Sequence, residues 1–169
     1  EVVGVDAAPE AIAMAETERL RRGISNVRWL EADVADLSAI TDTTVDAVAA
    51  IDLVEHIDDA TLRAMLAECR RILKPGGRLG IYTPDRLHYV ERMKAHGFLL
   101  EQFPQHIAVR RVDEYVVFLR EAGFRVGLAA WSVSPFPAVR WLERLLAPLP
   151  LVGPTFRYRI LLQASPGPA

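Results

Sequence analysis

The chain has a single cysteine, Cys69, so no internal disulfide can form and a metal site built from several thiolates is excluded. It has no long run of lysine or arginine, and 20 basic residues against 22 acidic ones leave a formal net charge of -2. Release of counterions from nucleic acid needs a concentrated cationic surface, so a partner of that class is not expected. No apolar stretch approaches the ~20 residues that span a bilayer, and no basic segment followed by an apolar one opens the chain as a signal peptide does. A cytoplasmic location is the default expectation. What is present is an ordinary globular balance: 169 residues, 51% apolar and 25% charged, enough for one domain with a continuous core. The chain begins at Glu1 rather than methionine and is in an apolar run within five residues, which reads as a cut through a domain.

The order of elements follows from periodicity and breakers. Val2, Val3 and Val5 form a short β-branched run that ends at Asp6, and Pro9 suits the first turn of a helix expected from about Pro9 to Arg22, with Ile12 and Leu20 among its inward positions. Gly23 stops it. A second strand is expected from Val27 to Ala32, closed by Asp33, and a third from Val45 to Ile51, reaching Asp52. Asp58 or Asp59 can cap a helix to about Leu73, whose Leu62, Met65, Leu66, Cys69 and Ile72 share one apolar face. Cys69 therefore reads as core. Pro75-Gly76-Gly77 forces a turn before a strand from Arg78 to Thr83. A short helix around Tyr89 to Ala95, a helix from about Val112 to Ala122 and a strand from Phe124 to Ser132 follow. A proline-punctuated segment, 135–154, contains a helix from Ala138 to Leu146 with Val139, Leu142, Leu145 and Leu146 at helical spacing. The last strand is expected from Phe156 to Ala164, and residues 165–169 form a disordered tail.

Strands that alternate with helices and are nearly all apolar imply a mostly parallel α/β sheet covered on both faces, with ligands outside the carboxyl ends of the strands. Asp6, Asp33 and Asp52 each fall at such an exit. Singly, each could be a helix cap or turn former; all three at strand exits point to a ligand.

With these residues in place, the chain from Glu1 to about Ala164 resembles class I S-adenosylmethionine-dependent methyltransferases, in particular those acting on small molecules, quinone precursors and lipid-like acceptors. Glu1-Val-Val-Gly-Val-Asp6-Ala7-Ala-Pro9 is similar to the family's second strand, and the resemblance implies that Asp6 accepts hydrogen bonds from both ribose hydroxyls, with Ala7 beside it. Trp29-Leu-Glu-Ala-Asp33-Val34 resembles the third strand, which implies Asp33 at the exocyclic amine of adenine and the Val34 amide at a ring nitrogen. Val45 to His56 resembles the fourth strand and its loop, which implies Ile51 and Asp52 near the methionine end of the cofactor. Leu73-Lys-Pro-Gly-Gly77 is similar to the turn before the fifth strand, and Gln105-His106 and Glu121-Ala-Gly-Phe124 to the approach to the sixth. The resemblance implies a Rossmann-like fold in which the first strand and its glycine-rich loop are not found in this sequence.

Methyl transfer is an in-line displacement on an activated carbon, so alignment of donor and acceptor and exclusion of water do most of the work. An acceptor that carries a proton gains from a base, and His56 and His106 are the candidates. The competing readings are that Glu55 and His56 cap or orient the next helix and that His106 is an ordinary surface histidine. Glu55, His56 and His106 could instead supply ligands to a divalent ion, although no metal is expected. The segment 135–154 is an acceptor lid, an amphipathic surface for peripheral membrane contact, or a helix packed on the sheet. A dehydrogenase would need a nicotinamide site and its own glycine fingerprint, neither of which is visible. The loop Asp52-Leu-Val-Glu55 lacks the proline-proline-aromatic clamp of many enzymes that methylate exocyclic amines. The alternative of a different class is a non-catalytic binding or scaffold protein on the same fold. A scaffold would need neither Asp6 nor Asp33.

Overall fold

The computed structural model describes residues 1–98, 101 and 104–168. Strand β1 (Val2–Asp6), helix α1 (Pro9–Arg21) and strand β2 (Val27–Glu31) form a first β-α-β unit with β1 and β2 parallel and in register from Val2↔Val27 to Asp6↔Glu31. Strand β3 (Val45–Ile51), helix α2 (Asp59–Ile72) and strand β4 (Leu73–Pro84) repeat the pattern, again parallel. Helices α3 (Tyr89–Ala95) and α4 (Val112–Glu121) lead to strand β5 (Phe124–Ser132), and helix α5 (Pro137–Leu146) and a 3-10 turn (Gly153–Phe156) lead to strand β6 (Arg159–Pro166). The hydrogen-bonded order is β1-β2 in one sheet and β3-β4-β6-β5 in the other. Since β6 runs antiparallel to both β4 and β5, strands β3, β4 and β5 share one direction and β6 alone opposes them.

The α/β class implied by the alternating pattern is the one observed. Helix α2 follows its apolar spacing: Asp58 Oδ1 accepts from the Thr61 backbone N–H at 2.8 Å, Leu62, Met65, Leu66 and Cys69 are buried in the main core with residues of β4 and α4, and Ile72 is buried too. Burial pushes the Cys69 thiol up to about 12, so it behaves as core. A smaller cluster holds the two sheets together, with Leu37, Ile40 and Ile72 packing against Val5 and Leu30 on one side and Val45 and Val48 on the other.

The structure differs from expectation in four places. Leu20 is exposed and α1 buries no residue, because the helix packs mainly on the small β1-β2 pair. Strand β4 starts at Leu73 rather than Arg78, taking Pro75-Gly76-Gly77 into the strand as an irregularity where Gly76 has a φ of +80° and the partner of Val45 is Leu73 while that of Ala47 is Arg78. The last strand starts three residues later than expected, since Gly153–Phe156 closes a 3-10 turn first. The expected tail is partly bound: Pro166 pairs with Phe124, and the Gly167 N–H donates to Gly123 O at 2.8 Å.

Gly4 is required by close approach. A Cβ there would lie 2.2 Å from the Trp29 ring, which is itself held by a 2.9 Å bond from Trp29 Nε1 to Glu16 Oε2. Gly4→Ala is expected to cost about 1–3 kcal/mol by overpacking, read as a lower midpoint in urea unfolding.

Candidate active site

Two of the sequence-identified acids share one end of the β1-β2 pair. Parallel pairing in register puts the carboxyl ends of both strands side by side, and the Ala32 N–H donates to Asp6 O at 3.1 Å. Asp6 Oδ1 accepts from the Ala8 N–H at 2.9 Å, and Asp33 Oδ1 from the Ala35 N–H at 2.8 Å, so each carboxylate is oriented by its own turn. Both are exposed, and among the described residues the second oxygen of each takes no hydrogen bond. Ala7 is exposed beside Asp6. Val34 is half-buried on the main core cluster, the same one that Leu53 touches. The residues just past Asp33 and just past Asp52 therefore border the same core cluster.

Asp52 itself is committed elsewhere. It leaves β3 in the left-handed region with φ +50°, its N–H donates to Tyr82 O at 2.9 Å, and its carboxylate pairs with Arg159 of β6. Ile51, the last residue of β3, is exposed. Both residues lie at the carboxyl end of β3, and the Asp52 carboxylate already has a cationic partner.

Beyond β3 the loop folds under the segment that carries His106. Ala108 N–H donates to Glu55 O at 3.1 Å, and His56 Nδ1 lies 2.9 Å from Gln105 O. A carbonyl only accepts, so Nδ1 carries the proton there and the lone pair of a neutral His56 sits on Nε2. The rings of His56 and His106 meet edge to face with centroids 4.9 Å apart. Glu55 is buried, and its Oε2 accepts from Thr83 Oγ1 at 2.9 Å. One ligand atom each from Glu55, His56 and His106 lie within 4.8 Å of one another, a spacing that fits a divalent cation. Burial lowers the His106 pKa below its ordinary value; Glu55 opposes this and His56 adds to it. The cap role weighed for Glu55 and His56 belongs to Asp58 instead.

Residues 1–77 match the methyltransferase domain family. The ubiquinone biosynthesis O-methyltransferase of Xanthomonas oryzae pv. oryzae (strain PXO99A) is 30% identical over 131 residues, which is 78% of this chain and 51% of that protein. On both counts the chain is similar to methyltransferases. It spans about half the length of the curated relatives it matches. Among solved structures, the PH0226 protein from Pyrococcus horikoshii OT3 superposes with a TM-score of 0.71 at 21% identity, over 98% of this chain and 71% of that one. A geranyl diphosphate methyltransferase in complex with SAM superposes with a TM-score of 0.67 at 19% identity, over 98% and 68%. Both show the shared fold.

The family match takes in Asp6, Asp33, Asp52, Glu55 and His56 and ends before His106. Past that limit lie the residues that the sequence reading missed. Arg110 is buried and donates to three carbonyls, Val54 O at 2.8 Å, Ile57 O at 2.9 Å and Ala108 O at 3.1 Å, and to Asp59 Oδ1 at 2.7 Å. It clamps the Glu55-His56 loop to the strand of chain behind His106. Glu143 of α5 is fully buried, accepting from His88 Nε2 at 3.1 Å, Tyr89 OH at 3.3 Å and the Ser134 N–H. Burial lowers the His88 pKa and Glu143 opposes that. The one available signal for Glu143 was a lone carboxylate in a leucine-rich helix.

Proposed function

We propose that the intact protein transfers a methyl group from S-adenosylmethionine to an oxygen of a small-molecule or lipid-like acceptor. The observation that carries this reading is the pair of exposed carboxylates at the shared end of β1 and β2, in a chain whose residues 1–77 match a methyltransferase domain. Carboxylates are acceptor-only, so Asp6 suits two ribose hydroxyls and Asp33 an adenine amine, and each keeps an oxygen for the purpose. When bound, the cofactor supplies a methyl carbon activated by a positive sulfonium. The relatives named ubiquinone biosynthesis O-methyltransferases support a quinone-precursor type of acceptor.

The Glu55-His56-His106 cluster then serves the acceptor. His106 takes the acceptor proton, since a depressed pKa keeps it neutral; His56, turned by Gln105 O, stands beside it. A histidine base fails once protonated, so activity is lost as pH falls through the His106 pKa, and burial places that limb below about 6.5. A profile of kcat/KM against pH checks this. His106→Gln is expected to remove the limb and to lower kcat by ~10²-fold or more; an unchanged limb retires His106. A second reading, favoured by the spacing of the three ligand atoms, is a divalent cation held by Glu55, His56 and His106. Activity abolished by a chelator and restored by magnesium or manganese would select it.

Among the described residues β1 pairs with β2 alone and β3 with β4 alone, yet a common apolar cluster joins the two sheets. We infer that a further strand, with a glycine-rich loop for the cofactor, fits between β1 and β3 in the intact protein, and that the reaction takes place in the cytoplasm. Calorimetric titration of S-adenosylhomocysteine into the intact protein tests the central reading. The absence of binding would favour the scaffold alternative.

A further inference from the structure

Helix α5 turns only part of its apolar stripe inward: Val139 and Leu146 are half-buried, and the rest faces out. Trp141, Leu142 and Leu145 are 69%, 42% and 57% exposed, while Glu143, the lone carboxylate among them, is fully buried. At about 100° per residue the three apolar side chains fall within one arc of about 100°, and Glu143 points away from it. The orientation is fixed from behind. Rolling the leucines inward would carry Glu143 out of its bonds with His88, Tyr89 and the Ser134 N–H, and a buried carboxylate stripped of its donors is costly. The apolar surface continues beyond the helix, with Phe136 before it and Leu149 and Leu151 after it, the last 94% exposed.

The chemistry of this face selects its partner. From Phe136 to Val152 the only polar side chains besides the Trp141 indole are Arg140, Glu143 and Arg144, and Glu143 is buried. From Val133 to Tyr158 there is no other acid. A protein partner is ordinarily recognised with about one hydrogen bond per 100–200 Å², and this face offers almost no side chain to make one. A bilayer asks for none: it takes apolar side chains at its acyl boundary, a tryptophan at headgroup depth and cations beside anionic lipid.

We propose that α5 and the turn after it form a peripheral docking surface for an anionic lipid bilayer. This rests on the surface itself and not on the reaction proposed above. Its position is nonetheless useful to that reaction, because Glu143 ties α5 to the start of α3, and Glu91 of α3 acts electrostatically on both His88 and His106. An acceptor dissolved in the membrane would then be one helix away from the histidine pair.

The test is sedimentation of the intact protein with vesicles of phosphatidylcholine and phosphatidylglycerol in equal parts, beside vesicles of phosphatidylcholine alone. Trp141→Glu with Leu145→Glu changes only exposed positions, and circular dichroism checks that the variant folds. The parent is expected to sediment with the anionic vesicles, at least about tenfold more weakly in the double variant. Arg144→Glu or added salt is expected to weaken it severalfold. Three results would overturn the proposal: no sedimentation of the parent, a double variant that sediments like the parent, or a vesicle-free dimer that the double variant abolishes while vesicles bind neither protein. The last would assign the face to a second copy of the chain.

Discussion

Arg110→Ala is expected to lower the free energy of unfolding by about 3–5 kcal/mol, the scale for breaking a buried charged network at one partner. The guanidinium is 4% exposed and satisfies the carbonyls of Val54, Ile57 and Ala108 together with Asp59. Alanine leaves those carbonyls without donors in a space that the truncated side chain cannot fill, and each unsatisfied group carries its own desolvation cost. Phe118 and Tyr115 also lose the cation beside their rings, at 5.6 and 5.8 Å. Arg110→Lys should recover only part of the loss, because one ammonium cannot reach carbonyls on two segments as a planar fork does. Urea unfolding measures the effect. Arg110 acts through other residues and is a positioning residue. Its second readout is therefore the pH profile: the lysine variant, if folded, should show a lower kcat with the acid limb displaced, since Ala108 and Glu55 no longer hold the His56-His106 contact. A loss below about 1 kcal/mol would mean that the two loops are held by something else.

Asp6→Asn is expected to weaken S-adenosylhomocysteine binding by the intact protein by about tenfold to a hundredfold, the range for losing a charge-assisted, doubly accepting contact. Asparagine preserves shape and can still accept from the Ala8 N–H, so the turn at the end of β1 survives and the melting temperature should not move. What changes is that one acceptor oxygen becomes an amide donor facing ligand hydroxyls. Calorimetric titration reads the affinity. Equal affinity in parent and variant would remove Asp6 from the site and leave the exposed carboxylate pair without a shared purpose.

Other features bear on how acid affects the fold. For His88 and His106 the folded pKa is lowered, so between the folded value and about 6.5 the unfolded chain binds more protons than the folded one, and stability rises with pH. Their contribution is complete above about 6.5 and is lost as pH falls below it. The buried Asp85 has the opposite displacement, raised by burial. It favours the folded state where its carboxyl is protonated, and so offsets part of that loss at the acid end.

Much of the frame was legible in the sequence because local patterns determine it. The β-branched runs bounded by Gly23, Gly123 and acidic exits placed β1, β2, β3 and β5 within a residue of their observed limits, and α2 carried both its cap at Asp58 and its apolar face. Asp6 and Asp33 were legible for the same reason, since a parallel pair must bring its carboxyl ends together. Periodicity, a cap and a strand exit are each written within a few consecutive residues.

Contacts between distant segments were not. No spacing rule links Asp52 to Arg159, Glu143 to His88, or Arg110 to the carbonyls of the loop after β3, because each pair meets only once the strands are ordered and the helices packed. The face of α5 shows the limit most clearly: its leucines have the spacing of a buried stripe, and a single carboxylate that needed donors decided which side turned inward. Sequence by itself determined the alternation of elements and the acids at their tips. Tertiary structure alone decided which charges are paired, which histidines meet and which apolar face is left outside, because burial of a charge depends on partners that chain distance does not encode.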